Sequence, residues 1–141
     1  MAFTDLDPDD FILDLFAGFA APVGVESPAN LFEIPSFILA TRTPSGGPLF
    51  PLLARRVVYD FDVFANRTIS SQSPARKAAA GLAGAVESLI YAAWRGAVPH
   101  AGLMIAKITA ATDFAPIRTN EPDGTYRYTA TYALLLRPAT P

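Results

Sequence analysis

Residues 101–138 read AGLMIAKITAATDFAPIRTNEPDGTYRYTATYALLLRP. From Leu103 to Thr112 the stretch predicts a strand. Glu121-Pro122-Asp123-Gly124 is strong turn chemistry, with Pro presetting φ and Gly free to take the left-handed region. The chain then returns from Tyr126 to Arg137. Tyr126, Tyr128, Ala130, Tyr132, Leu134 and Leu136 alternate there with Arg127, Thr129, Thr131, Ala133, Leu135 and Arg137. A period of two over that length describes a strand with two distinct faces.

Outward from it, Arg55 to Asn66 alternates most clearly. Val57, Tyr59, Phe61 and Val63 share one face, and Arg56, Val58, Asp60, Asp62 and Phe64 share the other. Between these strands, Ser73-Pro74 opens a helix that Trp94-Arg95-Gly96 closes, with Leu82, Val86, Leu89 and Ala93 at helical spacing and Ile90 adjoining. Gly81 and Gly84 weaken that helix, which is tolerable where another backbone approaches closely. Ser36 to Arg42, SFILATR, is a further strand, and Val23 to Val25 a shorter, ambiguous segment. Near the N-terminus Asp7 caps a helix with Pro8 at its first position. Phe11, Leu15 and Phe19 fall on one stripe over about three turns before Ala21-Pro22 ends it.

Strands grouped with two helices, without a βαβ repeat, predict an α+β fold. The expected arrangement is a mainly antiparallel sheet of four to five strands with two helices packed on one face. The length of 141 residues fits a single domain, 1–141, with a flexible loop at about 43–53.

Bulk composition narrows the function. The net charge of −2 leaves no basic footprint for nucleic acid. Cysteine is absent, which excludes disulfides, thiolate metal sites and thiol catalysis. The longest apolar run, Leu15 to Val25, is broken by Gly18, Pro22 and Gly24, and the acidic N-terminus lacks a signal-peptide pattern. Yet 51% of residues are hydrophobic and only 17% charged, and mean hydropathy is +0.28. A soluble chain of that balance is expected to hide apolar surface against partners, a homo-oligomer first among them.

Few residues suggest chemistry. His100 is the only histidine, and a general base needs a nucleophile within reach. Asp60 and Asp62 stand two apart on one strand face, with Cβ atoms about 7 Å apart. Such a pair could bind a hard cation or divide acid and base roles, but no third ligand follows at suitable spacing, and an exposed or lumen-facing acidic strip is the simpler reading. Asp5, Asp7, Asp9, Asp10 and Asp14 are explained mainly by helix capping. Ser45-Gly46-Gly47 and Gly81 to Gly84 match no phosphate-binding fingerprint. Tyr126, Tyr128 and Tyr132 could stack on RNA bases, although the basic surround is thin. In the Gly/Pro-rich segment Thr43 to Leu53, the apolar Leu49, Phe50, Leu52 and Leu53 either dock on a neighbour or fold back on their own core.

The chain resembles the tail terminator (tail completion) proteins of long-tailed phages with non-contractile tails. The likeness lies in ordered segments: the N-terminal amphipathic helix, SFILATR at 36–42, VVYDFDVFANR at 57–67, SPARKAAAGLAGAVESLIYAA at 73–93 and RYTATYALLLRP at 127–138. Together they span nearly the whole chain. The resemblance implies a structural virion subunit without enzyme activity, cofactor, metal or membrane contact. It implies a hexameric ring at the neck, assembled in the host cytoplasm, that caps the tail tube, ends its polymerisation and offers the head-joining surface. Tail tube and head-closure proteins are its implied partners. DNA only passes through the lumen, for which Asp60 and Asp62 are candidate lining residues. The alternatives are another neck subunit (head-closure or adaptor), a small α+β enzyme or ligand-binding domain using Asp60, Asp62 and His100, or an RNA-binding sheet.

Overall fold

A computed structural model describes residues 6–43, 54–66, 75–117 and 125–139. In chain order the elements are α1 (Pro8–Leu15), β1 (Val23–Gly24), β2 (Ser36–Thr43), β3 (Arg55–Asn66), α2 (Ala75–Arg95), β4 (Leu103–Ala111), β5 (Ala115–Ile117) and β6 (Thr125–Pro138). The fold is α+β, as the alternation predicts. The sheet holds six described strands rather than four to five, because β1 and β5 are too short to announce themselves. Its order is β1-β2-β3-β6-β4, and β5 pairs with β6 beyond the end of β4. All pairings are antiparallel except β1 with β2.

β3 and β6 form the centre, paired without a break from Arg55↔Leu136 to Asn66↔Thr125. Their aligned apolar faces meet both helices in one core. Phe11, Ile12, Leu15 and Phe16 come from α1 and its cap, and Ala83, Val86, Ile90 and Ala93 from α2. They pack on Ile38, Val57, Tyr59, Phe61, Val63, Ala130, Tyr132, Leu134 and Leu136. Both helices therefore lie on the same face of the sheet. Phe61 sits at the middle, with Phe16 at 5.9 Å, Tyr59 at 6.1 Å and Tyr132 at 5.7 Å between ring centroids.

α1 is shorter than the apolar stripe suggests. Asp7 caps it by accepting from the Asp9 N–H at 2.9 Å, but the helix stops at Leu15, and Gly18 at φ 78 turns the chain before Phe19. α2 buries Ala75, Ala79, Ala83, Val86, Ile90 and Ala93. Leu82 and Leu89 only flank that stripe, because small alanines let the helix axis sit close to the sheet. Among the described residues no other backbone approaches Gly81 or Gly84, where a Cβ would meet nothing within 4 Å. At the end of α2 the Ala97 N–H donates to the Trp94 carbonyl at 3.2 Å and the Val98 N–H to the Ala93 carbonyl at 3.1 Å. This is a Schellman closure, and its left-handed residue is Ala97, φ 49, not Gly96.

β4 is an edge strand with two register shifts, between Ile105 and Lys107 and between Ile108 and Ala110. Strict alternation would turn Lys107 inward. The first shift instead sets Ile108 opposite Leu134, on the core face, and leaves Lys107 exposed. A bend at 112–114 follows, pinned where the Thr131 N–H donates to Thr112 Oγ1 at 2.8 Å, and β5 continues along β6. Bulges, Lys107 and Pro116 make this edge a poor template for a further strand.

Tyr59 ties α1 to the sheet: it is wholly buried, and its hydroxyl donates to Asp9 Oδ1 at 2.5 Å. Arg42 stands 3.8 Å from the same oxygen. Burial, then the hydrogen bond to Asp9 and its charge, push the Tyr59 ionisation upward, and burial pushes up Tyr132 likewise. In the unfolded chain both would ionise near pH ~10. Below that pH neither state loses these protons and stability does not depend on them. Above it the unfolded chain binds fewer protons than the native one, so unfolding becomes easier as pH rises. An alkaline titration should therefore show Tyr59 and Tyr132 ionising only in step with the loss of far-UV circular dichroism. Full tyrosinate absorbance in a still-folded protein would contradict this packing.

Candidate interaction surfaces

The sheet face away from the helices carries the residues that sequence singled out most. Asp60 and Asp62 both lie on it, as their spacing requires, but they are not an open acidic strip. Asp62 is only 6% exposed, and both Arg127 Nε at 3.0 Å and Arg127 Nη2 at 2.9 Å donate to its Oδ1. Register explains the pair: Thr129 is opposite Asp62 and Phe64 is opposite Arg127. Arg127 thus reaches Asp62 along the diagonal, with its guanidinium 5.5 Å from the centre of the Phe64 ring. Asp60 is half-buried and accepts from the hydroxyl of Thr131, directly opposite. Both carboxylates are thus committed to neighbours. The resulting surface is polar and fixed in register, with Thr41 exposed and Val58, Thr129 and Leu135 half-buried around it.

One end of this face is already covered. Leu31 packs with Phe37 and Phe64, and Ile34 and Leu39 border them. Asn66 holds that covering segment down. Its side-chain amide donates to the Leu31 carbonyl at 2.9 Å and the Ile34 carbonyl at 2.5 Å, and its Oδ1 accepts from Thr125 Oγ1 at 2.7 Å. At 2% exposure, Asn66 has every one of these polar partners inside the protein.

His100 lies elsewhere. It precedes a tight turn whose central residues Ala101 and Gly102 have φ 49 and 79, closed by hydrogen bonds between His100 and Leu103. Positive φ at both central positions is the type I′ signature. The turn sets the imidazole edge-on to Phe11 at 5.9 Å, with Nδ1 2.9 Å from Asp14 Oδ2. Phe11 belongs to the core on the helix side, so the sheet separates His100 from Asp60 and Asp62, and the three do not form one site. Among the described residues no three His, Asp or Glu side chains converge to hold a metal ion, and no helix is long and apolar enough to cross a membrane. Leu49, Phe50, Leu52 and Leu53 lie outside the described residues, as do Ser73-Pro74 and the turn at 121–124.

The tyrosines of β6 divide. Tyr132 is buried at 1% exposure within the core and Tyr128 is half-buried beside it, while Tyr126 is 39% exposed. A base-stacking platform needs exposed rings, and Tyr132 is not one. The remaining large apolar side chains on the described surface are Leu13, Phe32 and Val98, each 41–42% exposed. Along α2 the outward residues include Ala80, Gly81, Gly84, Ala85, Ser88 and Ala92, a long face of small side chains.

Sequence reasoning passed over one further place. Glu87, Ser88, Tyr91, Ala92 and Arg95 border an open groove along α2. Their spacing on the helix is readable from the sequence; the contact of Tyr91 with the core ring of Tyr132, 6.4 Å between centroids, depends on the sheet register.

No protein-family model matches the chain, and comparison with curated proteins finds no match.

Proposed function

We propose that this chain is a structural subunit that works by assembling with copies of itself into a ring of the tail terminator kind. Such a ring closes the end of a phage tail tube and presents a surface for joining to the head. One observation carries the reading. The segments on which the resemblance rests are α1, β2, β3, α2 and β6 themselves, and they build one layer of helices on one sheet rather than lying scattered in loops.

The chemistry of the surfaces supports the same reading. The helix-free face holds its carboxylates in neighbour contacts, Asp62 with Arg127 and Asp60 with Thr131. A lumen lined by this face would be polar, with Asp62 and Arg127 neutralising one another and Asp60 held by Thr131, while Arg56 and Arg137 share the same face. Closure into a ring requires a heterologous contact between two different patches of the subunit. Exposed Leu13, Phe32 and Val98 and the small-residue face of α2 are surfaces from which such patches can be drawn.

The separation of His100 from Asp60 and Asp62 weighs against the enzyme reading that joined them. The test of the proposal is electron microscopy of particles made without this chain. Overlong or unjoined tails are the expected result. Tails of normal length with leaking heads would overturn it and assign the chain to head closure.

A further inference from the structure

The helix-free face of the sheet changes character toward the end where β6 finishes. Register sets Arg56 of β3 and Lys107 of β4 on either side of the same β6 residue, Leu135. Neighbouring strands lie about 5 Å apart, so the two cationic side chains flank a half-buried leucine. Arg137, two residues further along β6, belongs to the same face and is exposed. The carboxylates of this face are engaged further along β3, Asp60 by Thr131 and Asp62 by Arg127. Among the described residues neither Lys107 nor Arg137 has an ion pair.

α1 carries the reverse pattern on the other side of the sheet. Its inner residues Phe11, Ile12 and Leu15 enter the core. Asp10, Leu13 and Asp14 are exposed, and their spacing of three and four places them on one helix face. Leu13 is 41% exposed, so an apolar side chain stands in water between two carboxylates. Asp14 meets His100 through Oδ2, yet its side chain remains 54% exposed. One side of the subunit thus presents an apolar centre with negative flanks, and the other an apolar centre with positive flanks. The sheet lies between them, so a copy cannot bring its own two patches together. Two copies can, and opposite charges facing one another select partner and register.

We propose that the Leu135 end of the helix-free face docks the outer face of α1 on a second copy. Leu13 then meets Leu135, and Asp10 and Asp14 meet Arg56, Lys107 and Arg137. The proposal rests on the assembly reading above and gives its heterologous contact a place. Each pairing leaves one patch of either kind open on the outer copies, so the contact repeats until a ring closes. Its flanking charges are exposed, so it weakens as salt rises.

The experiment reverses the charges of one patch at a time. One variant carries Lys107→Glu and Arg137→Glu, the other Asp10→Lys and Asp14→Lys. All four positions are exposed, and circular dichroism should show both variants folded. Asp10→Lys alone keeps the Asp14–His100 contact and serves if the pair loses its fold. Sedimentation velocity over a concentration series, with and without tail tubes, reads the association. Each variant alone should need at least about tenfold more protein to associate than the parent. An equimolar mixture should associate like the parent, since every sheet face then meets an α1 of opposite sign. Variants that associate at the parental concentration would overturn this contact, as would a mixture no better than either variant alone. Both results leave the assembly reading standing. A parent that is monomeric at every concentration and on the tubes would overturn the two together. Binding of duplex DNA that is lost in the Lys107→Glu, Arg137→Glu variant, with self-association unchanged, would overturn the contact and assign these cations to phosphate.

Discussion

Phe61→Ala should lower stability by about 3–5 kcal/mol, the range for emptying a fully buried aromatic site. Phe61 has no exposure and is the ring at which α1's cap residue Phe16, the neighbouring Tyr59 of β3 and Tyr132 of β6 meet. Its removal leaves a hole where neither helix can collapse without dragging the sheet, because β3 and β6 are locked by unbroken register. In a domain of this size the thermal midpoint should fall by roughly 10–20 °C. Phe61→Leu, which keeps most of the volume, should cost clearly less. Urea or thermal melts check both. A melt of Phe61→Ala within experimental error of the parent would mean that the two helices do not share this core.

Asn66→Ala should cost about 2–4 kcal/mol, although the residue is polar and small. The loss is not the side chain's own packing. It is the loss of the side-chain partner that the Leu31 and Ile34 carbonyls and the Thr125 hydroxyl share among the described residues. Asn66→Asp sharpens the test, since the two are nearly the same shape. The substitution replaces a donor with an acceptor facing two carbonyls, and it should destabilise at least as much as alanine. Hydrogen exchange should then show residues 31–34 opening ahead of the β3–β6 centre. Equal protection of the two regions in Asn66→Asp would contradict the anchoring role.

How far the sequence reads as this fold depends on the kind of signal each element carries. In β3 and β6 every second side chain is apolar, so a period of two identifies both the strands and the face that meets the helices. Val57, Tyr59, Phe61 and Val63 all fall in the core for that reason. β4 carries a weaker signal because its two register shifts break the alternation, so that Ile105 and Ile108, three apart, share a face. β5 has three residues, one of them Pro116, and no periodicity to read. The apolar stripe overruns the end of α1, because Phe19 continues it after Gly18 has already turned the backbone.

The surfaces were less legible still. That Asp60 and Asp62 share a face follows from parity alone. That Asp62 is neutralised by Arg127, 65 residues later, follows from the register between two strands, which no local pattern fixes. Asn66 looks like an ordinary strand-end residue until residues 31–34 fold across it. Tyr132 reads as one tyrosine among three on β6. Only the stacking of Tyr91 and Phe114 around it distinguishes it from Tyr126.

Mass in solution tests the assembly reading most directly. Light scattering over a concentration series, with the protein alone and with purified tail tubes added, should detect one closed species at a fixed multiple of the 15.0 kDa subunit, six by the resemblance. Tubes should lower the concentration at which it forms. A 15.0 kDa monomer at every concentration, with nothing bound to the tubes, would contradict the proposal.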